Sequence, residues 1–172
     1  MVISLVKATK VAVISLVSFS LFACNGENEA TSSELTLSQA TTLLSVYKSE
    51  QCGCCKDWIS HVKEHGFKTT VDHPSDLYAL KERLGIGRNY QSCHTAVTQD
   101  GLVFEGHVPA KYIKQFMANA PQGALGLSVP GMVVGSPGME VDDKFRAYKI
   151  IQLNRDGSTS LYASIDSYQQ QF

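Results

Sequence analysis

Three cysteines fall within four residues, Cys52-Gly53-Cys54-Cys55, at the point where one kind of periodicity gives way to another. Before them, Leu43-Leu44-Ser45-Val46-Tyr47 is a short apolar run of the kind that forms a strand. After them, Cys55, Trp58, Ile59 and Val62 recur at helical spacing, while Lys56, Asp57, Ser60, Lys63 and Glu64 take the opposite face. A strand that enters a helix through a sulfur-rich turn fixes the fold class as α/β or α+β. It also fixes the chemistry of the turn, because free N–H groups and the macrodipole at a helix N-terminus favour thiolate.

The rest of the chain continues in that style. His65-Gly66 ends the first helix, 67–71 reads as a second strand, and 75–84 reads as a helix capped by Ser75 or Asp76 and closed by Gly85. Two strands, 94–99 and 102–107, flank Asp100-Gly101, the dipeptide a two-residue type I′ turn prefers. A helix over 109–118 opens with Pro near its first turn, and Leu127-Ser128-Val129-Pro130 enters another strand. A last hairpin, 145–153 with 160–165, turns at Asp156-Gly157. The expected architecture is a mixed sheet flanked by helices with a C-terminal β-hairpin extension, and the tail 167–172 is expected to fray. With 172 residues, 44% of them hydrophobic, one core and one domain over 41–166 suffice.

The N-terminus reads differently. Lys7 and Lys10 precede an apolar run over 11–22 that is too short to span a bilayer, which needs about 20 such residues, so 1–23 is expected to be a signal peptide. Leu21-Phe22-Ala23-Cys24 resembles the lipobox of bacterial lipoproteins, with Phe22 bulkier than usual, which makes Cys24 the expected lipidation site. The competing reading is a signal peptide cut after Ala23. Residues 24–40 then form a polar tether to the membrane, and Asn25 favours outer-membrane anchoring within the periplasm. The formal charge of −1 counts against nucleic acid as a partner.

Cys93, next to His94, adds a fourth sulfur to the cluster. The outer pair Cys52 and Cys55 has the spacing of thioredoxin-like redox sites, and Val129-Pro130 stands where such folds place a cis-proline. Cys54, however, puts a third thiol inside the motif, where it would compete in dithiol exchange. Adjacent Cys54 and Cys55 point in different directions, so bridging several ions is easier than closing on one. Soft thiolates select Cu(I) or zinc, and added His and Met groups tilt the choice to copper. Structural disulfides are the alternative, although such short loops make poor staples.

The histidines divide into two groups. A two-residue turn at Asp100-Gly101 sets Gln99 against Leu102, Val97 against Phe104 and His94 against His107, about 5 Å apart on one face beside Cys93. His61 and His65, at i, i+4 spacing, begin about 10 Å along the helix from Cys54 and read as solvated surface groups. Substituting any of these four is expected to leave the fold native. His73, before Pro74, shows no partner. Pro130-Gly131-Met132 and Pro137-Gly138-Met139 repeat a triplet that would hold Met132 and Met139 at defined places; both are candidates for thioether ligands or for core filling. Met117 is core.

Cys52-Gly53-Cys54-Cys55, Ser92-Cys93-His94-Thr95-Ala96, Glu105-Gly106-His107-Val108-Pro109-Ala110, Val129-Pro130-Gly131-Met132 and Gly135-Ser136-Pro137-Gly138-Met139-Glu140 stand in this order. Together they resemble the CopG-like copper-resistance proteins of Gram-negative envelopes. The resemblance implies a thioredoxin-like fold and a role in copper tolerance, with Cu(I)/Cu(II) interconversion before export within its scope. It implies that Cys52, Cys54, Cys55, Cys93, His94, His107, Met132 and Met139 form or border a copper site; the adjacent thiols, which bridge more easily than they close on one ion, add the expectation of more than one ion, with Cu(I) favoured. Copper ions and envelope export or chaperone proteins are the implied partners. A thiol-disulfide oxidoreductase using Cys52 and Cys55 and a zinc-stabilised structural domain are the alternatives, and whether there is turnover stays open.

Overall fold

The computed structural model describes residues 42–172. The expected signal peptide, Cys24 and the whole of the tether lie outside the described residues. The chain runs β1 (Leu43–Lys48), α1 (Gly53–Glu64), β2 (Lys68–Asp72), α2 (Leu77–Arg83), a 3-10 turn (Arg88–Tyr90), β3 (His94–Thr98), β4 (Val103–Glu105), α3 (Ala110–Ala118), β5 (Ala124–Ser128), β6 (Tyr148–Asn154), β7 (Thr159–Ile165) and a final 3-10 turn (Tyr168–Gln171). The seven strands make one sheet in the order β2-β1-β3-β4-β5-β6-β7. The β1/β2 and β4/β5 pairs are parallel and the others antiparallel. This is the expected α/β mixed sheet, and the last hairpin extends it.

Burial explains why the elements hold. The α1 stripe of Cys55, Trp58, Ile59 and Val62 is buried, as are Ile113 and Phe116 of α3, and these meet Leu44, Val46, Phe104 and Leu127 from the strands. Trp58 is fully buried and its Nε1–H donates to the Val108 carbonyl at 2.9 Å. That bond ties α1 to the segment between β4 and α3. Asp76 caps α2 by accepting from the Ala79 N–H at 2.8 Å, as the sequence suggested.

The central hairpin departs from expectation by one residue. Its pairs are Thr95 with Glu105, Ala96 with Phe104 and Val97 with Val103. The loop has three residues, closed by Thr98 N–H to Leu102 O and Gly101 N–H to Thr98 O, both 3.0 Å. Gly101 alone takes a positive φ, +82°, whereas a type I′ turn needs positive φ at Asp100 as well.

Two further expectations fail. No described peptide bond is cis, so Val129-Pro130 does not supply a cis-proline; β5 ends at Ser128, and Val129 N–H bonds to the Glu105 carbonyl at 3.0 Å. The tail does not fray. Gln171 is buried, accepts from the Tyr148 hydroxyl at 2.6 Å and donates to the Gly135 carbonyl at 2.9 Å, while Lys111 binds the carbonyls of Gln170 and Phe172.

Candidate metal centre

Sheet register brings the two cysteine segments together. Lys48, the last residue of β1, pairs with His94, the first of β3, so Cys93 lies just past the ladder, beside the turn that carries Cys52. Cys52 is the N-cap residue of α1 but supplies no side-chain cap, and Cys54 and Cys55 occupy the first helical turn. The four sulfurs of Cys52, Cys54, Cys55 and Cys93 all lie within 4.8 Å of one another. Cys54 and Cys55 thus converge despite their adjacency.

Two of the four are oxidised. Cys52 and Cys55 form a disulfide, and Cys54 and Cys93 are free thiols. Cys55 is fully buried whereas Cys52 is partly exposed. Cys54 Sγ lies 3.5 Å from Cys52 Sγ. Burial, and then the neighbouring Cys54, pushes the Cys93 thiol up to about 11.

A second group shares Cys93. His107 Nε2 is 3.1 Å and His94 Nδ1 3.4 Å from its sulfur, and the three donor atoms lie within 4.8 Å of one another. The rings of His94 and His107 meet edge-on with centroids 5.0 Å apart. The expected pair is therefore present, for a reason other than the expected register. His94 actually faces Gly106, whose N–H bonds to its carbonyl at 2.9 Å. Regular continuation of β4 would send the next side chain to the other face. Gly106, at φ +73°, turns the chain and swings His107 back, and no larger residue fits there because a Cβ would sit 2.5 Å from the Val129 carbonyl oxygen.

The two rings are held differently. His107 Nδ1 donates to the Pro137 carbonyl at 2.7 Å, which fixes the tautomer and leaves the Nε2 lone pair facing Cys93. His94 is fully buried against Trp58, ring centroids 4.3 Å apart, and its Nε2 makes no well-formed hydrogen bond among the described residues. Burial lowers the pKa of both, and for His94 the charges of His107, Lys81 and Lys48 add to it, so both rings are held as neutral donors.

The methionines contribute unequally. Met132 is 64% exposed and lines, with Cys93 and Tyr78, a cavity of about 650 Å³. Met139 is half-buried, and its triplet acts through backbone: Pro137 O holds His107, and Gly138 lies so close to α1 that a Cβ would come within 2.4 Å of Trp58 N and 2.7 Å of Cys54 O.

Two assignments made from sequence are corrected. His61 is not a solvated surface group: it is 9% exposed and its Nε2 accepts the Ala110 N–H at 3.1 Å, capping α3. His65 is half-buried, bonded through Nδ1 to the His61 carbonyl at 2.7 Å. His73 has a partner too, the Lys48 carbonyl at 2.9 Å.

A buried ion pair was missed altogether. Lys81 of α2 and Glu105 of β4 form a salt bridge at 1% and 0% side-chain exposure. Glu105 also accepts from Ser92 N–H and Thr95 Oγ1, both at 2.5 Å, and Lys81 donates to the Ser92 carbonyl at 3.0 Å. Burial pushes the Glu105 carboxyl upward, and Lys81, Thr95 and Ser92 oppose it. Together they clamp the residue before Cys93. Its only sequence signal was a carboxylate ending the apolar strand Val103-Phe104-Glu105.

Known proteins resemble this chain in sequence and fold. The family described as a protein of unknown function, DUF411, matches residues 90–139. Two solved structures, both named copper resistance protein CopG, are 43% identical with TM-scores of 0.69. They cover 73% and 74% of this chain and 98% and 99% of their own. The chain belongs to the CopG family. No curated protein sequence matches it. The DUF411 segment of this CopG-family chain contains Cys93, His94, His107, Met132 and Met139, but it begins after the Cys52–Cys55 motif.

Proposed function

We propose that this chain is an envelope copper-binding protein that takes Cu(I) into its thiolate cluster for copper tolerance, anchored through a lipidated Cys24 after removal of 1–23. The observation that carries the reading is the convergence of four sulfurs and two neutral imidazoles at one helix N-terminus. Relatives that share the fold at 43% identity are named for copper resistance, which agrees with it. Once Cys52 and Cys55 are reduced, four thiolates offer a soft donor set suited to Cu(I). Thiolates bridge, so more than one ion per chain is expected, with Met132 at the exposed edge as a thioether donor. Copper is cargo in this reading, exchanged with export or chaperone proteins of the envelope.

A second reading, thiol-disulfide exchange, is favoured by one feature: the Cys52–Cys55 disulfide has one accessible sulfur and one buried one. Elemental analysis of the reduced chain, loaded anaerobically with Cu(I), separates the two. More than one tightly held copper per chain, reduced by Cys54→Ser and Cys93→Ser, supports the copper reading. A ratio of one or less, or zinc winning in competition, would overturn it, and disulfide reductase activity indifferent to Cys54→Ser would favour the second reading.

A further inference from the structure

We infer that the chain holds two overlapping metal sites sharing Cys93: the four-sulfur site, available only when Cys52 and Cys55 are reduced, and a Cys93–His94–His107 site that persists when their disulfide is closed and takes one divalent first-row ion. The inference rests on the reading of this region as a metal centre. It adds that oxidation of the cysteine pair changes which ion is held rather than emptying the centre.

The geometry carries this. A sulfur about 2.3 Å and a nitrogen about 2.0 Å from a zinc-sized ion stand about 3.5 Å apart at a tetrahedral angle. Cys93 Sγ is 3.4 Å from His94 Nδ1 and 3.1 Å from His107 Nε2 with the disulfide already formed. None of the three donors belongs to the disulfide. His107 is oriented by the Pro137 carbonyl so that its free lone pair points at the sulfur. His94 is fully buried, and beyond the Cys93 sulfur its ring nitrogens have no well-formed hydrogen-bond partner among the described residues. With its proton on Nε2, the neutral ring presents the Nδ1 lone pair to the Cys93 sulfur. One thiolate with two imidazoles suits divalent ions, whereas four thiolates suit Cu(I).

Switching between the two takes two electrons. A dithiol reductant attacks Cys52 Sγ, which lines an open cavity of about 570 Å³ together with Cys93, while Cys55 is sealed in the core. The Cys52–Cys55 bond breaks, Cys55 leaves as thiolate and takes a proton, and the second thiol of the reductant then displaces Cys52. The reductant departs as its own disulfide, and both cysteines are free to bind.

Cobalt(II) is a suitable probe because thiolate ligation gives it charge-transfer absorption without redox chemistry. The full chain is prepared with the disulfide closed, verified by peptide mass, and titrated with Co(II); the same chain, reduced, is titrated with Cu(I). The oxidised chain is expected to bind one Co(II) with a thiolate band. Cys93→Ser should abolish the band with circular dichroism unchanged, His107→Ala should weaken binding at least about tenfold, and His65→Ala should leave both in place. An oxidised chain that takes no Co(II), or takes it with no thiolate band or indifferently to Cys93→Ser, overturns the inference. Cu(I) binding by the reduced chain alongside that failure would leave the copper reading standing, and its absence would remove that reading instead.

Discussion

Two pairs of histidines on this fold look equally suited by spacing to hold a metal, and their ring nitrogens are committed differently. His61 and His65 sit one turn apart on α1. His94 and His107 come from the end of one strand and the bend after another. Both pairs bring rings close, with centroids 4.4 Å apart in the first and 5.0 Å in the second. The difference lies in what the nitrogens already do. His61 Nε2 accepts a backbone N–H of α3 and His65 Nδ1 is bonded to the carbonyl of His61, whereas among the described residues His107 Nε2 and His94 Nδ1 face only a thiol. Spacing finds donors, but their existing hydrogen bonds decide whether they are free to bind.

The contrast makes a clear demand: removing a committed group should cost stability and leave metal binding alone. The largest effect is expected at Glu105, outside both pairs. Glu105→Ala strands the Lys81 ammonium in the core and should destabilise by about 3–5 kcal/mol, read as a lower urea midpoint. If the midpoint hardly moves, the pair is not what clamps the Cys93 segment.

Next comes His61→Ala, which leaves the Ala110 N–H buried without its acceptor and should cost about 1–3 kcal/mol. Copper per folded chain should not change. A loss of copper with full stability would return His61 to the candidate ligands. The same residue carries a pH signature. Burial, reinforced by His65, lowers the His61 pKa from 6.5 to about 4. Between those values the unfolded chain binds the proton that the folded chain refuses, so stability is full above about 6.5, falls as the pH drops, and levels off below about 4. The slope over that window should shrink in His61→Ala; an unchanged slope would assign it to other groups.

The smallest effect is expected at His65, whose ring bonds only to its own helix at a half-exposed position. His65→Ala should shift the urea midpoint by less than about 0.5 kcal/mol and leave copper unchanged. A shift as large as that of His61→Ala would mean that the ring contact between the two, and not the bond to α3, is what matters.

The sequence made most of the elements legible because their signals are local. The cysteine turn, the α1 stripe, the Asp76 cap and the closing glycines at 66 and 85 each act within a few residues. The hairpin register was misread because Asp-Gly suits both a two-residue and a three-residue loop, and only the backbone at Asp100 decides. The same two histidines meet beside Cys93 all the same, since the Gly106 bend compensates the slip. His61 lies three residues past Trp58, at the edge of the buried stripe, where periodicity cannot say whether a neighbouring segment covers it. The tail was misjudged because Gln171 is held by a hydroxyl and a carbonyl from distant parts of the chain, contacts that leave no apolar pattern. Lys81 and Glu105 are each unremarkable alone, and only the fold makes them a pair.

Gly138 sets the clearance of the whole centre. The backbone there touches the start of α1 at Cys54 and Trp58, and the residue before it grips the His107 ring. The sulfur-bearing and nitrogen-bearing halves are thus gauged against a single peptide unit with no side chain in the gap. Even one methyl group at Gly138 would act as a shim, wedging the Pro137 carbonyl and its histidine away from the turn that carries the thiols.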